Sequence, residues 1–199
     1  MATDHSSVLI VEDEPDLADL YASRLEDEYD VQISYDGNQA LESIDEGIDV
    51  VLLDRRMPGL SGDLVLETIR EQRLDCRIAM VTAIEPDFDI VSMGFDDYLV
   101  KPVSKAELIE VIEGLLLRSA YDEQLQEFFA VSAKKVLLDG RKTEAERLTS
   151  QEYARLEDRI AVLRVRLEET TSELADGDGY RQLCMDISQQ QSTEDRTDD

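Results

Sequence analysis

Cysteine is nearly missing from this 199-residue chain: Cys76 and Cys184 are too few for a disulfide framework and lack the spacing of a metal site. Lysine is scarce too, with five residues against fifteen arginines. No apolar run approaches the roughly 20 residues that a membrane-spanning helix needs. The opening Met1-Ala2-Thr3-Asp4-His5 has neither the basic start nor the apolar stretch of a secretory signal. These shortages point to a soluble cytoplasmic protein with no membrane partner. What the chain has in excess is acid, 47 Asp and Glu against 20 Lys and Arg, for a net charge of −27. Apolar residues still make up 42%, enough for a real core, so wholesale disorder is excluded.

The acids form no single tail. Residues 1–118 hold 28 acids and 9 bases, and residues 119–199 hold 19 and 11. Self-repulsion of this size weakens a compact fold at low ionic strength, and salt screens it. We read the charge as adaptation to a salty cytoplasm; the alternative is an acidic surface that selects a basic partner. The even spread favours the first.

The first 102 residues alternate short apolar runs with helical patterns. The runs are Val8–Val11, Val31–Tyr35, Val50–Leu53, Ile78–Val81 and Tyr98–Val100. Four are continuous, as in strands buried on both faces, whereas Val31-Gln32-Ile33-Ser34-Tyr35 alternates and fits an edge strand. Pro15 suits a first helical turn, with Leu17, Leu20, Tyr21 and Leu25 following at helical period. Leu64, Leu66 and Ile69 follow Ser61-Gly62, and Ser104 with Glu107 forms a capping box. Five strands alternating with five helices predict an α/β fold, a doubly wound parallel sheet with helices on both faces.

After Leu117 the pattern changes. Arg118–Gln124 interrupts the apolar face, which resumes at Leu125, Phe128, Phe129, Val131, Val136 and Leu137. Gly140–Arg147 is polar and reads as a helix-to-helix connection, and Thr149 with Glu152 predicts a second capping box. Tyr153, Leu156, Ile160, Leu163, Leu167, Thr170 and Leu174 then follow spacings of three and four. That is a heptad seam, readable as a short coiled coil or as a helix packed on the preceding one. Asp176-Gly177-Asp178-Gly179 ends the helix, and the acidic residues from Gln189 onward read as disordered.

Chemistry-bearing residues follow the strands. Glu12 and Asp13 come after the first, Asp54 after the third, Thr82-Ala83 after the fourth and Lys101-Pro102 after the fifth. In a doubly wound sheet these ends converge at one edge, the usual ligand site of such folds. Three carboxylates at close range repel and need a cation, and oxygen-only ligands suit a hard ion such as Mg²⁺. A lysine opposite neutralises phosphoryl oxygens and a threonine hydroxyl donates to one. The set fits phosphoryl transfer onto a carboxylate. Singly, the residues have plainer readings: Asp13 and Ser61 are placed to cap helices, Thr82 is a core-edge hydroxyl, Tyr98 a strand aromatic and Lys101 a solvated charge.

Taken together, residues 7–118 resemble the receiver (CheY-like) domain of two-component response regulators. The resemblance lies in Glu12-Asp13, in Asp54-Arg55-Arg56-Met57-Pro58-Gly59-Leu60-Ser61-Gly62, in Thr82-Ala83, in Tyr98 and in Lys101-Pro102. Residues 119 to about 185 resemble the HalX domain of haloarchaeal regulators, notably in Tyr121-Asp122-Glu123-Gln124-Leu125 and Ser132-Ala133-Lys134-Lys135. The resemblance implies a flavodoxin-like strand order of 2-1-3-4-5 and a helical output domain. It also implies that Asp54 takes a phosphoryl group from a sensor histidine kinase. Asp13, Asp54, Glu12 through water and the backbone carbonyl of Arg56 are the implied Mg²⁺ ligands. Lys101 pairs with the phosphoryl oxygens, Pro102 follows a cis bond, and Thr82 and Tyr98 are the switch residues. The expected organisation is a leader over 1–6, a receiver over 7–118, a HalX-like domain over 119–185 and a tail over 186–199.

Rival chemistries fail on sequence. A haloacid-dehalogenase-type enzyme needs an acid two residues past its nucleophile, where Arg56 stands. A flavin carrier needs a phosphate loop where Glu12-Asp13-Glu14-Pro15 repels phosphate. The expectation is no enzyme beyond self-phosphorylation and self-dephosphorylation at Asp54. The output stays open between transcription regulation through DNA and a dimerisation or protein-interaction module. Residues 131–166 hold 9 bases and 6 acids, yet no helix-turn-helix, zinc site or basic zipper is visible. A homodimer through the receiver face or the helical seam is a further expectation.

Overall fold

The computed structural model describes residues 5–176, with His5 exposed. The first four residues, the Gly177-Asp178-Gly179 stop, Cys184 and the tail over 186–199 lie outside the described residues. The chain divides into two compact units, Met1–Leu116 and Leu117–Asp199.

The first unit runs β1 (Ser7–Val11), α1 (Pro15–Leu25), β2 (Asp30–Ser34), α2 (Gly37–Ser43), β3 (Val50–Leu53), α3 (Gly62–Gln72), β4 (Arg77–Thr82), a 3-10 turn (Phe88–Ser92) and β5 (Asp97–Val100). All pairings are parallel and the order is β2-β1-β3-β4-β5, so the predicted doubly wound sheet is present and β2 is an edge strand. Alternate residues feed two cores. Leu9, Val11, Val51, Leu53, Ile78 and Met80 pack with Val65, Leu66 and Ile69 of α3. Val8, Ile10, Val50, Leu52, Ala79 and Val81 pack with Tyr21 and Leu25 of α1 and with Leu108, Ile112 and Leu115 of α4 (Lys105–Asp139). Each such fully buried aliphatic side chain contributes about 1.5–3 kcal/mol of transfer free energy.

Two local expectations in this unit need correction. The fourth crossover is no α-helix: within residues 83–96 only the five-residue 3-10 turn forms. Phe88 and Val91 are 91% and 83% exposed, so the segment buries no apolar face that could stabilise a longer helix. Neither Asp13 nor Ser61 caps through its side chain, since Glu14 is the N-cap of α1 and Ser61 caps α3 without a side-chain bond. The Ser104–Glu107 box does form: the Ser104 N–H donates to Glu107 Oε2 at 2.7 Å and the Glu107 N–H to Ser104 Oγ at 3.2 Å.

In the second unit, α4 continues through Arg118–Gln124 without a break, contrary to the expected interruption. Tyr121 and Leu125 keep an i, i+4 rhythm there, so the charged residues only decorate the helix. The polar stretch after Gly140 holds α5 (Glu144–Thr149), opened by a reciprocal capping box between Thr143 and Glu146. The second expected box, Thr149 with Glu152, does not form: Thr149 ends α5, and Ser150 alone caps α6, its Oγ accepting the Tyr153 N–H at 3.1 Å. From there α6 (Gln151–Asp176) lays its heptad seam inward, with Leu163 and Thr170 buried against a face of α4 that includes Val131. Thr170 donates to Gln124, Arg159 to Glu127 and Lys135 to the Tyr153 hydroxyl, so the two helices run antiparallel. The seam therefore closes a helical hairpin within the chain. Among the described residues no helix is long and apolar enough to cross a membrane.

Candidate functional site

Register decides which strand ends meet. Val11 pairs with Leu53, so Glu12 and Asp54 follow side by side, and Thr82 pairs with Val100, which puts Lys101 next to Thr82. The Asp54 N–H donates to Val11 O at 2.9 Å and the Lys101 N–H to Thr82 O at 2.8 Å, fixing both residues to the neighbouring strands. Past Asp54 the chain turns sharply: Gly59 takes φ +79°, in the left-handed region. Gly62 starts α3 so close beneath the site that a Cβ there would lie 2.0 Å from the Asp54 carbonyl oxygen. No other residue type fits without moving the helix.

Glu12 and Asp54 are buried and Asp13 is half-buried, and one carboxylate oxygen from each lies within 4.8 Å of the others. Lys101 Nζ donates to Glu12 Oε2 and to Asp54 Oδ2, both at 2.6 Å. The Arg56 N–H donates to Asp54 Oδ1 at 3.1 Å, which fixes the carboxylate's second oxygen. Burial raises the Glu12 pKa above the usual carboxylate range; the Lys101 ammonium pulls it down and the Asp54 charge pushes it up. Burial works to lower the Lys101 pKa, but its bonds to Asp54 and Glu12 outweigh that and leave it raised. One ammonium thus offsets an acidic cluster with three carboxylates, an arrangement of hard oxygen donors suited to a divalent cation.

Thr82 is buried, and its Oγ1 accepts the Ile84 N–H at 3.5 Å. The Tyr98 hydroxyl donates to the carbonyl of the same Ile84 at 2.9 Å, and its ring stacks at a tilt on Phe95, centroids 5.4 Å apart. Both side chains therefore report on one short backbone segment. The Lys101–Pro102 peptide is cis. Asp13 also lines a cleft of about 740 Å³ together with Arg56, Met57, Ser61, Glu85 and Asp87 among others.

Sequence reasoning missed Arg55. Its guanidinium donates to Asp63 of α3 at 3.0 Å and to Asp89 of the 3-10 turn, tying that turn to the helix beside the cleft. These pairs hold the Arg55 pKa above its ordinary value and the Asp89 pKa below. No local motif announces partners 8 and 34 residues away.

A 2-1-3-4-5 parallel sheet with three acids and a lysine at its carboxyl edge defines a receiver-class fold. Comparison with known proteins agrees. The family model described as response regulator receiver domain matches residues 8–113, and that of the HalX domain matches 117–184. The chain belongs to the response regulator receiver family, with a HalX domain following the receiver.

Among its relatives, a protein of Haloferax volcanii provisionally named a transcriptional regulator is 52% identical over 138 residues, 69% of this chain and 24% of that protein. The transcriptional regulatory protein CpxR of Escherichia coli is 37% identical over 125 residues, 61% of this chain and 53% of CpxR. The chain thus spans about a quarter to about half the length of these relatives. Among solved structures, a CheY-like receiver from Methanospirillum hungatei gives a TM-score of 0.55 at 26% identity, covering 59% of this chain and 98% of that one. The response regulator TrrA of Thermotoga maritima, solved with Mg²⁺-BeF, gives 0.50 at 33% identity, covering 56% and 99%.

Proposed function

We propose that Asp54 is the phosphoacceptor of a two-component phosphorelay in the cytoplasm. The observation that carries this reading is the Asp54 carboxylate bonded to Lys101 and clustered with Glu12 and Asp13, the last of which lines an open cleft. A carboxylate oxygen of Asp54 attacks the phosphorus of a phosphohistidine on a sensor histidine kinase. The P–O bond forms as the P–N bond breaks, and the imidazole leaves. Asp13 and Asp54 directly, Glu12 through water, and the Arg56 carbonyl are the groups that would hold Mg²⁺, which when bound neutralises phosphoryl oxygens and the surrounding acids.

Lys101 exchanges its bond to the free carboxylate for one to the new phosphoryl oxygens. Thr82 turns its hydroxyl from the Ile84 N–H toward them, and Tyr98, which shares Ile84, moves behind it. A local change of charge thereby biases a segment with two arrangements. Beyond transferring the phosphoryl group to itself and losing it again, the chain carries out no enzymatic reaction.

By likeness to the transcription regulators named above, the helical hairpin delivers the output in transcription regulation. A second reading, an adaptor that does not touch DNA, draws support from the basic stretch itself. Lys135, Lys142, Arg147 and Arg159 are each engaged by an acid of the same unit, leaving fewer charges for phosphates. The test of the central reading is labelling with acetyl phosphate and Mg²⁺. Wild type takes one acid-stable but base-labile phosphoryl group and Asp54→Asn takes none; an equal label on the variant overturns the assignment.

A further inference from the structure

The heptad seam of α6 turns into the hairpin, where Leu163 and Thr170 are buried and the other seam residues half-buried. A second stripe remains on α4. Leu125, Phe129, Ser132 and Val136 follow spacings of four, three and four, one helical position, or about 100°, around from the face that packs on α6. Phe129 is 62% exposed and Val136 is 71% exposed, while Leu125 and Ser132 are half-buried. Among the described residues nothing covers Phe129 or Val136. Beside it opens an apolar groove of about 310 Å³ lined by Phe128, Leu167 and Thr171, with Arg164 and Glu168.

We infer that this face of the hairpin is the contact for a second copy of the chain, paired antiparallel through α4. The spacing reads the same in both directions, which is what a twofold axis perpendicular to the helix requires. In that register Leu125 meets Val136 of the second copy, and the large Phe129 meets the small Ser132, so each ring fills a gap that its own symmetry mate provides. A parallel pairing instead sets Phe129 against Phe129 and Ser132 against Ser132, crowding one level and leaving the next empty.

Size agrees. From Leu117 to the end of α4 the hairpin face is about 33 Å long and two helices, or about 20 Å, wide, near the roughly 800 Å² per partner of a stable interface. The other exposed apolar residues of this unit lack this symmetry: Leu137 lies about 100° further around α4 from the stripe, Leu148 is on α5, and Val162 and Val165 are on α6. The inference stands on the hairpin alone and is independent of chemistry at Asp54. With a net charge of −27 on each copy, association strengthens as salt rises.

Sedimentation equilibrium of the full chain in molar KCl tests this. Wild type is expected to dimerise. Phe129→Asp and Ser132→Trp each raise the dissociation constant about a hundredfold, as removing or blocking a central anchor does, and Leu137→Asp leaves it unchanged. A monomeric wild type, a dimer indifferent to Phe129→Asp, or equal loss in Leu137→Asp overturns the inference. Orientation is read separately by oxidative cross-linking in a Cys184→Ser background, Cys76 being buried. Phe129→Cys and Ser132→Cys chains should link when mixed; self-linking of Phe129→Cys alone overturns the antiparallel register.

Discussion

Replacing Lys101 with methionine keeps the length of the stem and removes only the ammonium. In the native site that ammonium donates to Glu12 and Asp54 at 2.6 Å each, and the three side chains are 11%, 3% and 9% exposed. Removing one member of a buried ion pair costs about 3–5 kcal/mol, because the surviving charge stays buried without compensation. Asp54 and Lys101 keep some contact with solvent, so the lower end applies, about 3 kcal/mol at pH 7. For a unit of this size that is a fall of roughly 15 °C in Tm.

The sign of the pH dependence follows from Glu12. Its folded pKa already lies above the ordinary value of 4.5 because burial penalises the anion, with Lys101 holding it down. Without Lys101 the folded state binds protons that the unfolded state releases above 4.5, so the variant gains stability as pH is lowered from 7 toward 5. In the wild type the Lys101 contribution is complete below 10.5 and is lost only as pH rises through the elevated folded value. Thermal melts in molar KCl at pH 5 and 7, with and without Mg²⁺, measure both effects. The loss should shrink at pH 5, and Mg²⁺ at pH 7 should restore part of it. An equal loss at both pH values, untouched by Mg²⁺, would refute the electrostatic account and leave only packing.

Gly62→Ala places a Cβ 2.0 Å from the Asp54 carbonyl oxygen, so α3 must shift; expected are a loss of about 3 kcal/mol in stability and of acetyl phosphate labelling, and unchanged melting and labelling would show the contact to be slack. In the second unit, the Thr143 N–H and hydroxyl hold the Glu146 pKa down to about 2, so the Glu146 support of α5 is complete above 4.5 and is lost as pH falls toward 2. Thr143→Ala keeps the N–H and removes only the hydroxyl, so the Glu146 midpoint, followed by carboxyl NMR, should rise part of the way from about 2 toward 4.5; an unchanged midpoint would assign the shift to the N–H and Lys142 alone.

The strands could be read from the sequence because a strand buried on both faces leaves an unbroken apolar run, as at Val50–Leu53. The candidate site could be named for a related reason: Glu12, Asp54, Thr82 and Lys101 each end or directly follow such a run. Their mutual distances could not be, since these depend on register between strands far apart in sequence. What stayed hidden was either short or non-local. The six-residue α5 shows no apolar period, and only the Thr143-x-x-Glu146 box marks it. The 3-10 turn replaces a helix whose apolar face does not exist, and a count of crossovers alone overstates it. Arg55 is held by Asp63 and Asp89, partners that no spacing rule connects to it.

The reduced crossover between β4 and β5 has an energetic consequence. Phe88 and Val91 stand almost entirely outside the fold, so residues 84–91 are held by a few side-chain bonds, among them Arg55 to Asp89 and the Tyr98 hydroxyl to Ile84, while Met93 and Phe95 pack on the core. Such a segment lies in a shallow free-energy basin, where a difference of about 1.5 kcal/mol, one charge-assisted hydrogen bond, changes the balance of two conformers roughly tenfold. Rearranging it demands no unpacking of a helix, and the rest of the sheet can stay rigid while this one loop responds.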